Sequence, residues 1–216
     1  MSELFAGPGP LASRIALHLI ALLVALTVHE LGHAIVADRL GDSTARLRGR
    51  LSVNPLRHLD PLGALAFLVA GYGWSRAVPV NAYALRNGRG GAALVASAGP
   101  AANLIVGVIL AIGAHLARGL GALGLEIPEG VALLDVVSRF NLRLALLSVV
   151  PIPPLDAGHF LPYLLPRLAG SPVLRLETYG SFTLFVLAVG GALRLVFDPA
   201  VALVDRVLGT AVGGVL

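Results

Sequence analysis

The string HELGH at positions 29–33 puts His29, Glu30 and His33 within five residues of one another, in an apolar, proline-free stretch that favours helix. Residues four apart on an α-helix project from one face, so His29 and His33 can grip a single metal ion between their imidazoles. Glu30 stands beside them with a carboxylate able to take a proton from water. Zinc suits this set, because it accepts nitrogen and oxygen donors, lowers the pKa of its water toward about 7 and works with a neighbouring Glu as general base. Gly32 keeps that face of the helix open. Two His and a Glu in an apolar helix are costly when unpaired, and a divalent cation offsets the cost.

Catalytic zinc takes about three protein ligands and leaves a fourth position for water. The chain has no cysteine, so the third ligand must come from His18, His58, Asp60, His115, Asp156 or His159. His18 lies roughly 16 Å from His29 along a helix and reads as a polar residue near the outer interface, as does His115. His58 and Asp60 lie in a long connection from which they could reach the site. Asp156 sits in PIPPLDAGH, where Pro151, Pro153 and Pro154 break any helix. Irregular backbone at membrane depth is tolerated only against protein or a wet cavity, which makes a carboxylate there a site residue by default. Asp156 is the preferred third ligand and His159 the runner-up, for one Zn2+ per chain.

The elements that must position these residues are membrane helices. Of 216 residues 56% are hydrophobic and 13% charged, against about 45–50% and about 25% in soluble domains, and the mean hydropathy is +0.85. Apolar segments cover 15–37, 62–74, 92–116, 131–150 and 179–197, with a further stretch at 200–216 that lies at the interface or packs on the bundle. Crossing the hydrocarbon core takes about 20 residues, so 62–74 falls short and dips in or lies flat. The expected fold is an all-α polytopic membrane protein, a bundle of about four to six transmembrane helices. A short β-strand or re-entrant membrane-surface segment is expected around residues 44–81, because TARLRGRLSVNPL alternates polar and apolar residues up to a turn at Asn54-Pro55. One domain is expected over 1–216, with a catalytic core at about 15–165 and C-terminal helices at about 175–216. The N-terminus lacks the basic start and cleavage site of a signal peptide, so the first span is expected to be retained.

Charge sets the orientation. The connection from 38 to 91 holds eight Arg against three Asp, a net +5, whereas 118–135 nets −2. The positive-inside rule places the first connection in the cytoplasm of a multi-pass protein of the cell membrane. The formal charge of +4 is therefore assigned to orientation, with no nucleic-acid partner expected. With 62–74 not crossing, two further crossings bring Asp156 back to the face that carries HELGH.

Together HELGH, GDSTARLRGRLSVNPLRHLDPLG at 41–63, GWSRAVPVN at 73–81, SAGPAANL at 97–104 and PIPPLDAGH at 151–159 resemble the site-2 protease family of intramembrane zinc metalloproteases, in its short form without a PDZ domain. The resemblance covers most of residues 15–160. It implies cleavage of peptide bonds within or next to transmembrane helices of membrane-protein substrates, with His29, His33 and Asp156 on zinc and Glu30 activating water. It also implies a site toward the cytoplasmic side. Two positions depart from the family pattern. Ser148 stands where the family has an Asn that helps hold the substrate carbonyl, and Ala157-Gly158 replaces Gly-Gly.

Weaker support for substrate or transition state is assigned to Ser148, Asn103, Asn54 and His58. Asn103 reads equally as an interhelical hydrogen bond beside the small residues Ser97, Ala98 and Gly99, and Asn54 as a local turn. Arg139 and Arg143 read as side chains snorkelling to the interface. Strand-like backbone around 47–53 and 77–81 is expected to pair with an unwound substrate. A second function class for the same residues is a zinc-binding membrane protein that handles metal or binds transmembrane helices with little or no cleavage.

Overall fold

The computed structural model describes residues 10–122, 128–150, 155–158 and 179–213. Pro151, Pro153, Pro154 and His159 lie outside the described residues. Helix α1 spans Leu11–Arg39 and carries HELGH near its C-terminal end. Gly41, at φ 107, reverses the chain after it. Asp42 then organises the turn, since its Oδ1 accepts from the Thr44 backbone N–H (2.9 Å) and hydroxyl (2.5 Å) while Oδ2 accepts from Asn81 N–H at 2.7 Å.

That cap starts α2, Thr44–Leu47, a single helical turn, and a 3-10 turn follows at Pro55–Arg57. Helix α3, Pro61–Ala70, begins where the Asp60 side chain accepts from Gly63 N–H (2.8 Å) with Pro61 in the first turn, and ends at Gly71 in the left-handed region. Its ten residues make about 15 Å, half a bilayer core. Residues 72–81 run beside it as backbone that is neither helix nor paired strand. At Gly63 and Gly73 the two segments meet so closely that a Cβ on either would collide with backbone oxygen of the other.

Helix α4, Arg89–Ala122, and α5, Pro128–Leu147, form a hairpin that packs against α1. Helices α6, Gly180–Val189, and α7, Ala192–Gly213, meet at a bend of 69° beside Gly191, which has φ 83. Helix α6 lies on α3, and α7 lies along α4 and α5. The main apolar cluster joins Ala21, Leu22, Ala25 and Leu26 of α1 to Phe67 of α3 and Phe140 and Leu144 of α5. Small residues on α1 and α4 let these backbones approach closely. A Cβ on Gly32 would lie 2.7 Å from the Ala98 carbonyl oxygen.

Two expectations are corrected, and the number of spans is met only in part. Among the described residues there is no strand at 44–56. Alternation specifies a strand only when an edge is available to pair, and here side-chain caps from Asp42 and Asn54 fold the segment into turns instead. Among the described residues two helices, α1 and α4, are long and apolar enough to cross a membrane, or three if α6 and α7 form one broken span, against the four to six expected for the chain. Helix α5, at 20 residues, is long enough, but it carries Glu129, Asp135, Arg139 and Arg143. Glu129 is exposed, and the other three charges face protein partners. Arg118 pairs with Asp135, Arg139 Nε lies 3.6 Å from Asp205, and Arg143 reaches Asp198 at 3.1 Å. Arg143 therefore does not snorkel. It is 5% exposed and lies over the Tyr72 ring, whose hydroxyl donates to the same Asp198 at 2.8 Å.

Candidate metal centre and active site

His29 and His33 occupy successive turns on the buried face of α1, with ring centroids 4.8 Å apart. His33 Nδ1 lies 2.6 Å from the Val95 carbonyl oxygen of α4, which holds the proton on Nδ1 and leaves the Nε2 lone pair facing inward. Gly99, one turn beyond Val95, has no side chain because the His33 ring fills that space. A Cβ there would overlap the imidazole, 2.8 Å from Cε1. Helix α4 is thus the second layer of the site, orienting one ligand and making room for it.

Asp156 closes the set from across the molecule. Its Oδ2 lies 2.7 Å from His29 Nε2 and its Oδ1 3.2 Å from His33 Nε2, with the two Nε2 atoms 3.1 Å apart. All three side chains are buried. The Ser148 carbonyl, just past α5, accepts from Ala157 N–H at 3.1 Å and pins the helical backbone that begins at Asp156. With its Nδ1 proton on Val95, His33 offers only a lone pair to a carboxylate oxygen. Two acceptors turned toward one another call for a cation between them, and two imidazoles with one carboxylate are a zinc donor set. The residues fit the metal.

Glu30 is fully buried beside this triad. Its Oε1 accepts from the Ser75 hydroxyl at 2.5 Å, while Oε2 has no hydrogen-bond partner among the described residues and lies 3.8 Å from an Arg50 guanidinium nitrogen. Burial pushes the Arg50 guanidinium below its ordinary value, opposed by the Glu30 carboxylate and helped by Arg76. A cavity of about 10 Å3, bordered by Trp74, Ser75, Ala77, Ser148 and Asp156, joins the triad to the 72–81 segment. That is room for about one water.

Comparison with known proteins gives relatives that carry zinc-metalloprotease names. YwhC of Bacillus subtilis (strain 168) is 38% identical over 175 residues, 79% of this chain and 78% of that protein. The chain belongs to the site-2 protease family of zinc metalloproteases. Rip2 of Mycolicibacterium smegmatis is 33% identical and Rip2 of Mycobacterium tuberculosis (H37Rv) 32% identical, each over 67% of this chain. The chain spans 56% of each Rip2 protein. No family model matches the chain, and no solved structure matches it.

Within this site-2 protease relative, the structure brings His29, His33 and Asp156 together with Glu30 alongside, and sets the weaker candidates at differing distances. Ser148 is 2% exposed and shares the small cavity with Asp156 and Ser75. Asn103, fully buried, donates from Nδ2 to the Ala25 carbonyl (3.2 Å) and so ties α4 to α1 one turn before His29. Such bonds contribute about 0.6–2 kcal/mol in membrane proteins. Asn54 is exposed and accepts from Leu56 N–H, capping the 3-10 turn. His58 is buried with Nε2 2.7 Å from the Ser52 carbonyl, and its own carbonyl accepts from Arg76 N–H. Sequence reasoning did not single out Ser75, Arg50 or Val95, and it read Gly99 only as a small residue for helix packing. The string GWSRAVPVN held the only local signal for Ser75, a hydroxyl beside an arginine in an irregular apolar stretch.

Proposed function

We propose that the chain is an intramembrane zinc endopeptidase that hydrolyses peptide bonds within or next to transmembrane helices of membrane-protein substrates. One observation carries this reading. His29, Glu30 and His33 stand on a helix apolar enough to cross a bilayer, with His33 six residues before its end at Arg39, about 9 Å inside. A hydrolytic centre at that depth meets chain that is itself in the membrane. The +5 connection that continues from this end of α1 supports a cytoplasmic-side site in the cell membrane.

In this reading His29, His33 and Asp156 hold one Zn2+, which when bound supplies Lewis acidity toward water and the scissile carbonyl. Glu30 Oε2, buried and without a hydrogen-bond partner among the described residues, accepts the proton released as water attacks, and later delivers it to the leaving amine. The Ser75 hydroxyl fixes the rotamer of Glu30 through Oε1, and Arg50 balances its charge. Ser148 is placed to donate to the carbonyl oxygen of the substrate. A substrate helix must unwind to expose its carbonyls, and the unpaired 72–81 backbone offers an edge on which the extended chain can lie.

The deciding experiment uses purified protein reconstituted with a model single-span substrate. Glu30→Gln keeps one zinc per chain and loses cleavage by about a hundredfold or more. Undiminished cleavage by that variant would overturn the assignment of the base. A wild type that binds zinc yet cleaves no transmembrane substrate would favour the metal-handling alternative.

A further inference from the structure

Beside the small catalytic cavity lies a larger groove of about 570 Å3, whose walls include Arg48, Arg50, Arg57, Arg76, Ala77 and Pro79. Its volume falls within the range of ligand sites. No Asp or Glu is among the described residues that line it. Two of the arginines build the wall, Arg57 donating to the Gly49 carbonyl and Arg50 to the Arg76 carbonyl. The other two are exposed, and among the described residues neither Arg48 nor Arg76 makes an ion pair. Arg50 is 12% exposed at its side chain, and its Nε has no hydrogen-bond partner among the described residues. Four guanidinium groups around one recess repel one another and raise its positive potential, so the groove is built for an anion.

The anion's identity follows from where the groove leads. Ala77 lines both the groove and the catalytic cavity, and Arg50 reaches from the groove wall to Glu30. Among the described residues the backbone N–H of Ala77, which is exposed, donates to no protein acceptor, so the shared wall presents an open donor to an extended chain. A peptide crossing the catalytic cavity along this wall continues into the groove. We propose that the arginine groove is a substrate subsite that receives an acidic stretch beside the scissile bond, with Arg48 and Arg76 as specificity-determining residues. This rests on the protease reading above.

The test compares two model single-span peptides that differ only in the stretch flanking the span, rich in Asp and Glu in one and in Ser and Asn in the other. Zinc-loaded protein in phosphatidylcholine vesicles is expected to cleave the acidic peptide with kcat/KM about tenfold higher, through KM, an advantage that fades as salt rises. The double variant Arg48→Gln/Arg76→Gln brings the two peptides to the same kcat/KM, and Arg48→Glu/Arg76→Glu prefers a Lys/Arg-rich stretch. Equal kcat/KM for the acidic and neutral peptides in the wild type overturns the proposal. Peptide affinities for Glu30→Gln protein read the same preference without turnover. Failure to cleave either peptide therefore counts against the protease reading, while the ratio of affinities still decides the groove. If the protein shows no peptide preference but binds phosphatidylglycerol vesicles in a manner that Arg48→Gln/Arg76→Gln abolishes, the groove is a lipid-headgroup site and the substrate role falls.

Discussion

Gly99 shows how finely the site is set at the scale of single residues. Its missing side chain is the space occupied by the His33 imidazole, while Val95 one turn earlier fixes the tautomer of that ring. A methyl group at 99 must displace the ring, because the opposing atoms belong to a buried side chain held at both nitrogens. Gly99→Ala is expected to weaken zinc binding by about 10–100-fold, the usual cost of disturbing a group that orients a ligand. Competition with a chelator measures this, with helix content by circular dichroism as the control. Ser97→Ala, an exposed position on the same helix, is expected to bind zinc as the wild type does. Equal zinc affinity in Gly99→Ala and wild type would show that the imidazole can shift without leaving the metal.

At the scale of elements, the segment 72–81 links the parts of the site. Ser75 reaches Glu30, Arg76 N–H is anchored on the His58 carbonyl, and Asn81 N–H is anchored on Asp42, so the stretch is tied at both ends and open between them. The alternation in 44–56 pointed to a strand, but a strand needs a partner, and the local caps on Asp42 and Asn54 satisfied the backbone first. If substrate pairs with the open stretch, Ala77→Pro removes a donor that no acceptor among the described residues uses. It is expected to abolish cleavage with zinc content unchanged, whereas Ala77→Val adds bulk, keeps the N–H and retains most of the activity. Normal cleavage by Ala77→Pro would rule out strand addition at this residue.

For the whole molecule, the open question is which way the bundle sits in the bilayer. The chain has no cysteine, so a single introduced thiol reports its own side of the membrane. Tyr83 is 95% exposed in the positively charged connection. Tyr83→Cys is expected to react with a membrane-impermeant maleimide only after the cytoplasmic face is opened, and labelling of intact cells from outside would invert the orientation. The bundle also explains why charge on α5 does not force it out of the interior. Arg143 is matched by Asp198 and Tyr72, and stripping a buried charge of its partner costs about 3–5 kcal/mol.

The metal pair and its base were legible in sequence because they obey a local rule: a spacing of four on a helix puts two imidazoles on one face. The apolar helices were legible for the same reason, and Asp156 emerged from counting crossings and from the prolines around it. The tertiary structure alone decided what surrounds them. The contacts from His29 to Asp156, His33 to Val95 and Glu30 to Ser75 join residues 127, 62 and 45 positions apart. No periodicity encodes such pairings, which arise only when α4, the 72–81 segment and the segment carrying Asp156 pack against α1. The inward turn of Arg143 is likewise set by partners on other elements. So is the arginine groove, in which Arg76 joins Arg48, Arg50 and Arg57 only in the fold.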